Sequence, residues 1–186
     1  MENVEIEYKV MIDKKGYEKL LNYFNGQLSS FKQTNYYFDS IDEKINKNKL
    51  SLRIREKNNK YIATLKEPYE NGRLEHEYIV KDNEVKSFPT QIINLLDKYK
   101  IKITELYNFA TLTTIRNEIK IEKDNLLCID YSIYNNIEDY EVECESTSLE
   151  KGKEIIESLL NSLSIPYTKS TLSKTARAKK ANIKCG

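Results

Sequence analysis

Apolar and polar residues alternate along much of this chain, and each alternating run predicts a strand with two unlike faces. In VEIEYKV (4–10), Val4, Ile6, Tyr8 and Val10 fall on one face, and Glu5, Glu7 and Lys9 on the other. LSLRIREK (50–57) sets Leu50, Leu52 and Ile54 against Ser51, Arg53 and Arg55. In KYIATLKEP (60–68), Tyr61, Ala63 and Leu65 oppose Ile62, Thr64 and Lys66. RLEHEYIV (73–80) sets Leu74, His76, Tyr78 and Val80 against Glu75, Glu77 and Ile79. TTIRNEIKIE (113–122) separates Ile115, Asn117, Ile119 and Ile121 from Arg116, Glu118, Lys120 and Glu122. In LLCIDYSIY (126–134) Asp130 shares a face with Cys128 and Ser132. DYEVECES (139–146) opposes Tyr140, Val142 and Cys144 to Glu141, Glu143 and Glu145. KQTNYYFDS (32–40) is β-prone and ends at a turn.

Three stretches have helical spacing instead. The first, 13–24, has Asp13 as N-cap; the second, 89–100, has Ser87 near its cap and Pro89 in its first turn. The third, 148–163, opens on a capping box of Thr147 and Glu150 and ends at Ile165-Pro166. A last short helix is expected over 171–181. Asn58-Asn59, Glu70-Asn71-Gly72, KDN (123–125) and NNIE (135–138) supply turns. The sum is about eight strands, largely in hairpins, with three or four helices: an α+β protein with an antiparallel sheet, closed or nearly so. No linker divides the chain, so one domain over 1–186 is expected.

Composition narrows the function. With 39% hydrophobic and 32% charged residues in 186, the chain can bury a sizeable core. A net charge of +1 lacks the basic excess of a nucleic-acid binder, and no nucleic-acid partner is expected. No apolar run reaches the roughly 18 residues of a membrane span, and no secretory signal is visible. Cys128, Cys144 and Cys185 suggest neither a disulfide framework nor a zinc site, which fits a cytoplasmic protein with reduced thiols.

The charges then change the picture. They segregate by strand, arginines on one and three glutamates on another, and like charges close together on a sheet face repel. A small closed barrel of about eight strands resolves this, its charged faces lining an interior wide enough for one small ligand. Gathered glutamates call for hard cations such as Mg²⁺ or Mn²⁺. Gathered Arg and Lys call for a polyanion, because guanidinium forks match phosphate oxygens. Together they suit a metal-bound oligophosphate.

At this point the motifs resemble a known family. EIEYK (5–9) matches the E-x-E-x-K signature of the CYTH domain, or triphosphate tunnel metalloenzymes. LRIR (52–55), ATLK (63–66), LEHEY (74–78), IR (115–116), CID (128–130), YEVECE (140–145) and SKTAR (173–177) resemble the family's other motifs, in its order. The resemblance covers nearly the whole chain and implies an eight-stranded antiparallel tunnel flanked by helices. It implies action on a triphosphate with a divalent metal, Mg²⁺ or Mn²⁺. By motif, Glu5, Glu7, Glu143 and Glu145 resemble the metal ligands. Lys9, Arg53, Arg55, Lys66 and Arg116 resemble the phosphate-binding residues. Lys174 matches the basic residue of the C-terminal helix, with Arg177 one turn on. Glu75, Glu77 and Asp130 resemble further acids of the site, and Glu141 shares their face.

The leading expectation is hydrolysis of inorganic tripolyphosphate to pyrophosphate and orthophosphate by a monomer or homodimer. An adenylate cyclase, a thiamine triphosphatase and a non-catalytic polyphosphate- or nucleotide-binding tunnel are the alternatives. The absence of Trp lowers the thiamine reading, since members of that branch place an aromatic, notably Trp, against thiamine. His76, the single histidine, points away from Glu75 and Glu77 and is read as a core residue.

Overall fold

A computed structural model of the chain describes residues 2–70, 72–122, 125–170 and 172–184. Its strands are β1 (Glu2–Glu5), β2 (Glu7–Ile12), β3 (Ser29–Ser40), β4 (Ser51–Lys57), β5 (Lys60–Tyr69), β6 (Gly72–Val80), β7 (Leu106–Ile121), β8 (Asn125–Tyr134), β9 (Ile137–Glu145) and β10 (Tyr167–Lys169). Its helices are α1 (Lys14–Tyr23), α2 (Lys44–Lys47), α3 (Thr90–Lys98), α4 (Leu149–Ser162) and α5 (Lys174–Lys184). The strands form one sheet in the order β1-β6-β5-β4-β3-β7-β8-β9-β2-β10. Every pairing whose register is described is antiparallel. The fold class is therefore α+β with an antiparallel sheet, as the alternation predicts. None of the described helices is long and apolar enough to cross a membrane.

Several boundaries differ from the sequence reading, each for a local reason. The first run breaks at Ile6 into β1 and β2, and β10 adds Tyr167 beside Ile12, so the described residues hold ten strands where about eight were expected. β7 starts at Leu106 rather than 113, and the alternation missed this because LYNFATL mixes polar and apolar residues on both faces. Helix α4 is capped by Ser148, whose extended backbone lets its hydroxyl accept from Lys151 N at 3.1 Å, and not by Thr147. Pro89 is the cap residue of α3 rather than part of its first turn, and Ser87 bonds Asp82 instead of capping. Asp13 caps α1 as expected, accepting from Gly16 N at 2.7 Å. Asn58, Asn59, Asn135 and Asn136 all take the left-handed conformation that Asn tolerates in turns. The turn residues Asn71, Lys123 and Asp124, the helix start expected at Thr171, and Cys185 lie outside the described residues.

The chain forms two compact units, one of residues 1–4, 33–112 and 174–186, the other of residues 5–32 and 113–173. Each has its own core, made from the apolar face of its strands and the apolar stripe of its helices. In the first unit Phe38, Leu52, Ile54, Ala63 and Leu65 pack with Phe88 and with Ile92 and Leu96 of α3. In the second, Val10, Leu127, Ile129 and Val142 pack with Leu20 of α1 and with Ile156 and Leu160 of α4. Burying each of the Val, Leu, Ile and Phe side chains among these contributes about 1.5–3 kcal/mol. Gly152 lets α4 lie close on β2 and β9, for a Cβ there would stand 3.2 Å from both Cys144 O and Tyr8 Cβ. Because side chains alternate, helices on one face leave the charged positions on the other.

Candidate active site

In the second unit, register decides which charges meet. Glu7 lies across from Glu145, Lys9 from Glu143 and Met11 from Glu141 between β2 and β9. Across β8, Glu141 pairs with Asp130 and Glu143 with Cys128, and across β7 Arg116 pairs with Asp130. The Arg116 guanidinium grips Asp130 with two hydrogen bonds, Nε to Oδ1 at 2.9 Å and Nη2 to Oδ2 at 2.7 Å. Its Nη2 also donates to Glu143, and its Nη1 lies 3.8 Å from Glu145 Oε1. Lys9 Nζ binds Glu7 and reaches Glu143 Oε1 at 3.4 Å. Glu141 accepts from Ser170 Oγ at 3.4 Å.

This face is not wet. Asp130 and Glu141 are 0% exposed, Glu143 4% and Arg116 9%. Burying charge costs several kcal/mol per ion unless it is paired and hydrogen-bonded, so these groups need the partners they have. Burial alone would lower the Arg116 pKa, but the Asp130 and Glu143 carboxylates reverse this and hold it well above the usual value. The acids outnumber the two cations. Burial, then Glu5, then Glu143 and Glu7, push the Glu145 carboxyl up to about 7, and Arg116 only partly opposes them. Burial also raises the Cys128 thiol, which keeps it protonated and unreactive.

In the first unit, the face away from the core carries the arginines. Arg53 lies across from Tyr37 on β3 and Thr64 on β5, and Arg55 across from Asn35 and Ile62. Arg55 Nε donates to Asn35 Oδ1 at 2.9 Å. Lys66 pairs with Glu75 in both register and charge, and Thr64 Oγ1 donates to Glu77 Oε1 at 3.2 Å. Lys174 opens α5, Arg177 stands one turn along it, and both are half-buried. Lys179 of the same helix is held by Glu43 at 2.7 Å.

The strand residues singled out by sequence thus lie on two charged arrays, Lys174 and Arg177 stand on α5, and Glu5 ends β1, near enough for its charge to act on Glu145. The structure adds some that sequence missed. Asn35 and Tyr37 are buried on the arginine-bearing face, and Thr64 links it to Glu77. Their signal was the alternation of Gln33, Asn35 and Tyr37 in KQTNYYFDS, blurred because Tyr36 and Tyr37 are alike on opposite faces. Glu141 stands at the middle of β9, which begins at Ile137 and not at 139.

A family model described as the CYTH domain matches residues 3–178. The chain belongs to the CYTH family. Among its relatives is the Bacillus subtilis (strain 168) protein named "Putative triphosphatase YjbK", 34% identical over 170 residues that make up 89% of each chain. A Bacillus halodurans protein whose crystal structure is described as that of a "putative adenylate cyclase" is 33% identical, with a TM-score of 0.83 over 95% of this chain and 97% of its own. A Hippeastrum protein, described as a "putative adenylyl cyclase" with a dominant triphosphatase activity, shares the fold at 21% identity, with a TM-score of 0.74 over 95% of each chain. The CYTH match takes in all of these positions, from Glu5 to Arg177.

Proposed function

We propose that this CYTH protein is a divalent-metal-dependent triphosphatase that cleaves a phosphoanhydride bond, with inorganic tripolyphosphate preferred, to give pyrophosphate and orthophosphate. The observation that carries the reading is the buried acidic face of the second unit, where Asp130, Glu141 and Glu143 are kept from water. Family membership supports it, as does the triphosphatase name of the relative YjbK.

The acidic set was tested for its fit to a metal. Among the described residues no three Asp, Glu, His or Cys side chains gather around one point, since Lys9 and Arg116 engage Glu7 and Glu143. The donors are nevertheless all oxygen, and Glu145, raised first by burial, is raised further by Glu5, Glu143 and Glu7, which Arg116 only partly offsets. That chemistry fits a hard cation, Mg²⁺ or Mn²⁺, held by Glu5, Glu7, Glu143 and Glu145. Such an ion, when bound, supplies charge neutralisation on the phosphate oxygens.

The chain's own residues do the rest. Arg53, Arg55, Lys66, Lys9, Arg116, Lys174 and Arg177 bind phosphate oxygens through charge-assisted hydrogen bonds. Asn35 orients Arg55, Glu75 orients Lys66, and Asp130 fixes the plane of Arg116. Water attacks the terminal phosphorus, and the cations stabilise the charge that leaves on pyrophosphate. Such transfer rests on positioning and electrostatics and needs no covalent nucleophile, in keeping with a raised Cys128 thiol and a His76 buried on the core side of β6.

One observation favours a second reading, an adenylate cyclase: the 33% identical Bacillus halodurans protein bears that description. Incubation with tripolyphosphate, ATP and thiamine triphosphate, in Mg²⁺ or Mn²⁺, separates the readings by their products. Orthophosphate and pyrophosphate should appear fastest from tripolyphosphate. Cyclic AMP from ATP would replace the triphosphatase with the cyclase, and no turnover of any substrate would leave a binding protein.

A further inference from the structure

The single histidine lies where neither charged array needs it. His76 is 4% exposed, on the side of β6 that faces the apolar core of the first unit. Its Nε2 stands 2.6 Å from Glu67 Oε2, and Glu67 Oε1 accepts from the Tyr99 hydroxyl, also at 2.6 Å. An ionised carboxylate only accepts, so the ring hydrogen belongs on Nε2 and His76 donates. Tyr99 is the C-cap residue of α3, so one carboxylate ties together β5, β6 and the helix that covers them.

A polar cluster beside an apolar core calls for a reason, because well-packed apolar residues of similar volume are often as stable or more so. The reason is on the other face of the same strands. Glu67 follows Lys66, and His76 sits between Glu75 and Glu77. Leu65 pairs with His76 and Glu67 with Leu74 in the register that also pairs Lys66 with Glu75 and Thr64 with Glu77. Side chains alternate, so a slip by one residue would turn every charge to the wrong face. Directional hydrogen bonds resist such a slip where interchangeable apolar contacts do not.

We propose that Glu67, His76 and Tyr99 are positioning residues for phosphate binding, a strut holding the β5–β6 hairpin so that Lys66 meets Glu75 and Thr64 meets Glu77. The inference rests on the triphosphatase reading. It is tested with the full chain and three variants: His76→Leu removes the donor, His76→Gln keeps an Nε2 donor, and Tyr99→Phe removes only the hydroxyl. KM and kcat for tripolyphosphate with Mn²⁺ are measured well below each melting temperature, together with the Kd of pyrophosphate by calorimetry.

Misplacing a binding group by about 1 Å costs up to about a hundredfold, so His76→Leu should raise KM and Kd about tenfold or more while kcat changes less. His76→Gln should recover most of that loss, and Tyr99→Phe should shift KM the same way by less. A His76→Leu protein that melts earlier yet keeps KM and Kd within about twofold would overturn the strut, as would loss of binding that glutamine does not recover. If His76→Leu does not fold, an unchanged KM in Tyr99→Phe overturns it instead. Wild-type protein that neither binds pyrophosphate nor turns over tripolyphosphate would overturn the functional reading itself, and this inference with it.

Discussion

Glu145 concentrates the electrostatic problem of the acidic face. Burial and then Glu5 raise its carboxyl from the ordinary 4.5 to about 7. The folded protein therefore holds this proton more tightly than the unfolded chain. The stability the group contributes is full below 4.5 and is lost as pH rises through about 7. In metal-free protein, Glu145→Gln should remove that share of the pH dependence. Melting temperatures of the two proteins from pH 4.5 to 8 check it: the wild type should fall relative to the variant up to about pH 7 and then run level with it. A constant offset across the range would contradict the assignment. Period-two alternation placed Glu145, Arg116 and Asp130 on charged faces from sequence alone. Their partners were not legible, because the Arg116–Asp130 clasp depends on the β7–β8 register, which the alternation within either strand does not fix.

At the scale of elements, strands were easier to read than ends. Alternation is repeated over many residues, whereas a cap is decided by one backbone conformation. Thr147 and Glu150 make a plausible capping box, yet Ser148 takes the extended conformation and bonds Lys151 N. Ser148→Ala should accordingly cost about 1 kcal/mol of stability and Thr147→Ala much less, measured by urea unfolding. The reverse order would restore the capping box. The helices' purpose is likewise local: α4 presses on the back of β2 and β9, which carry Glu7, Lys9, Glu143 and Glu145, through the close approach at Gly152. The long β7 was half legible, since its charged segment alternates cleanly and its start does not.

At the scale of the whole molecule, two compact units each present one apolar core and one charged sheet face. The sequence announced both faces, because a strand that alternates charge with aliphatic residues commits each to its own side. Segregation of the charges by strand pointed to an enclosed face, but how far each acid is hidden from water was not legible: Asp130 and Glu141 are fully buried, whereas Glu145 on the same face is not. The measurement that tests the central claim most directly is tripolyphosphate hydrolysis against Mg²⁺ and Mn²⁺ concentration, in wild type and in Glu143→Gln, with orthophosphate and pyrophosphate resolved. The account predicts turnover that rises with metal and falls at least about a hundredfold in the variant, a loss of the size seen when one electrostatic stabiliser of a transition state is removed. Turnover indifferent to metal, or undiminished in Glu143→Gln, would contradict it.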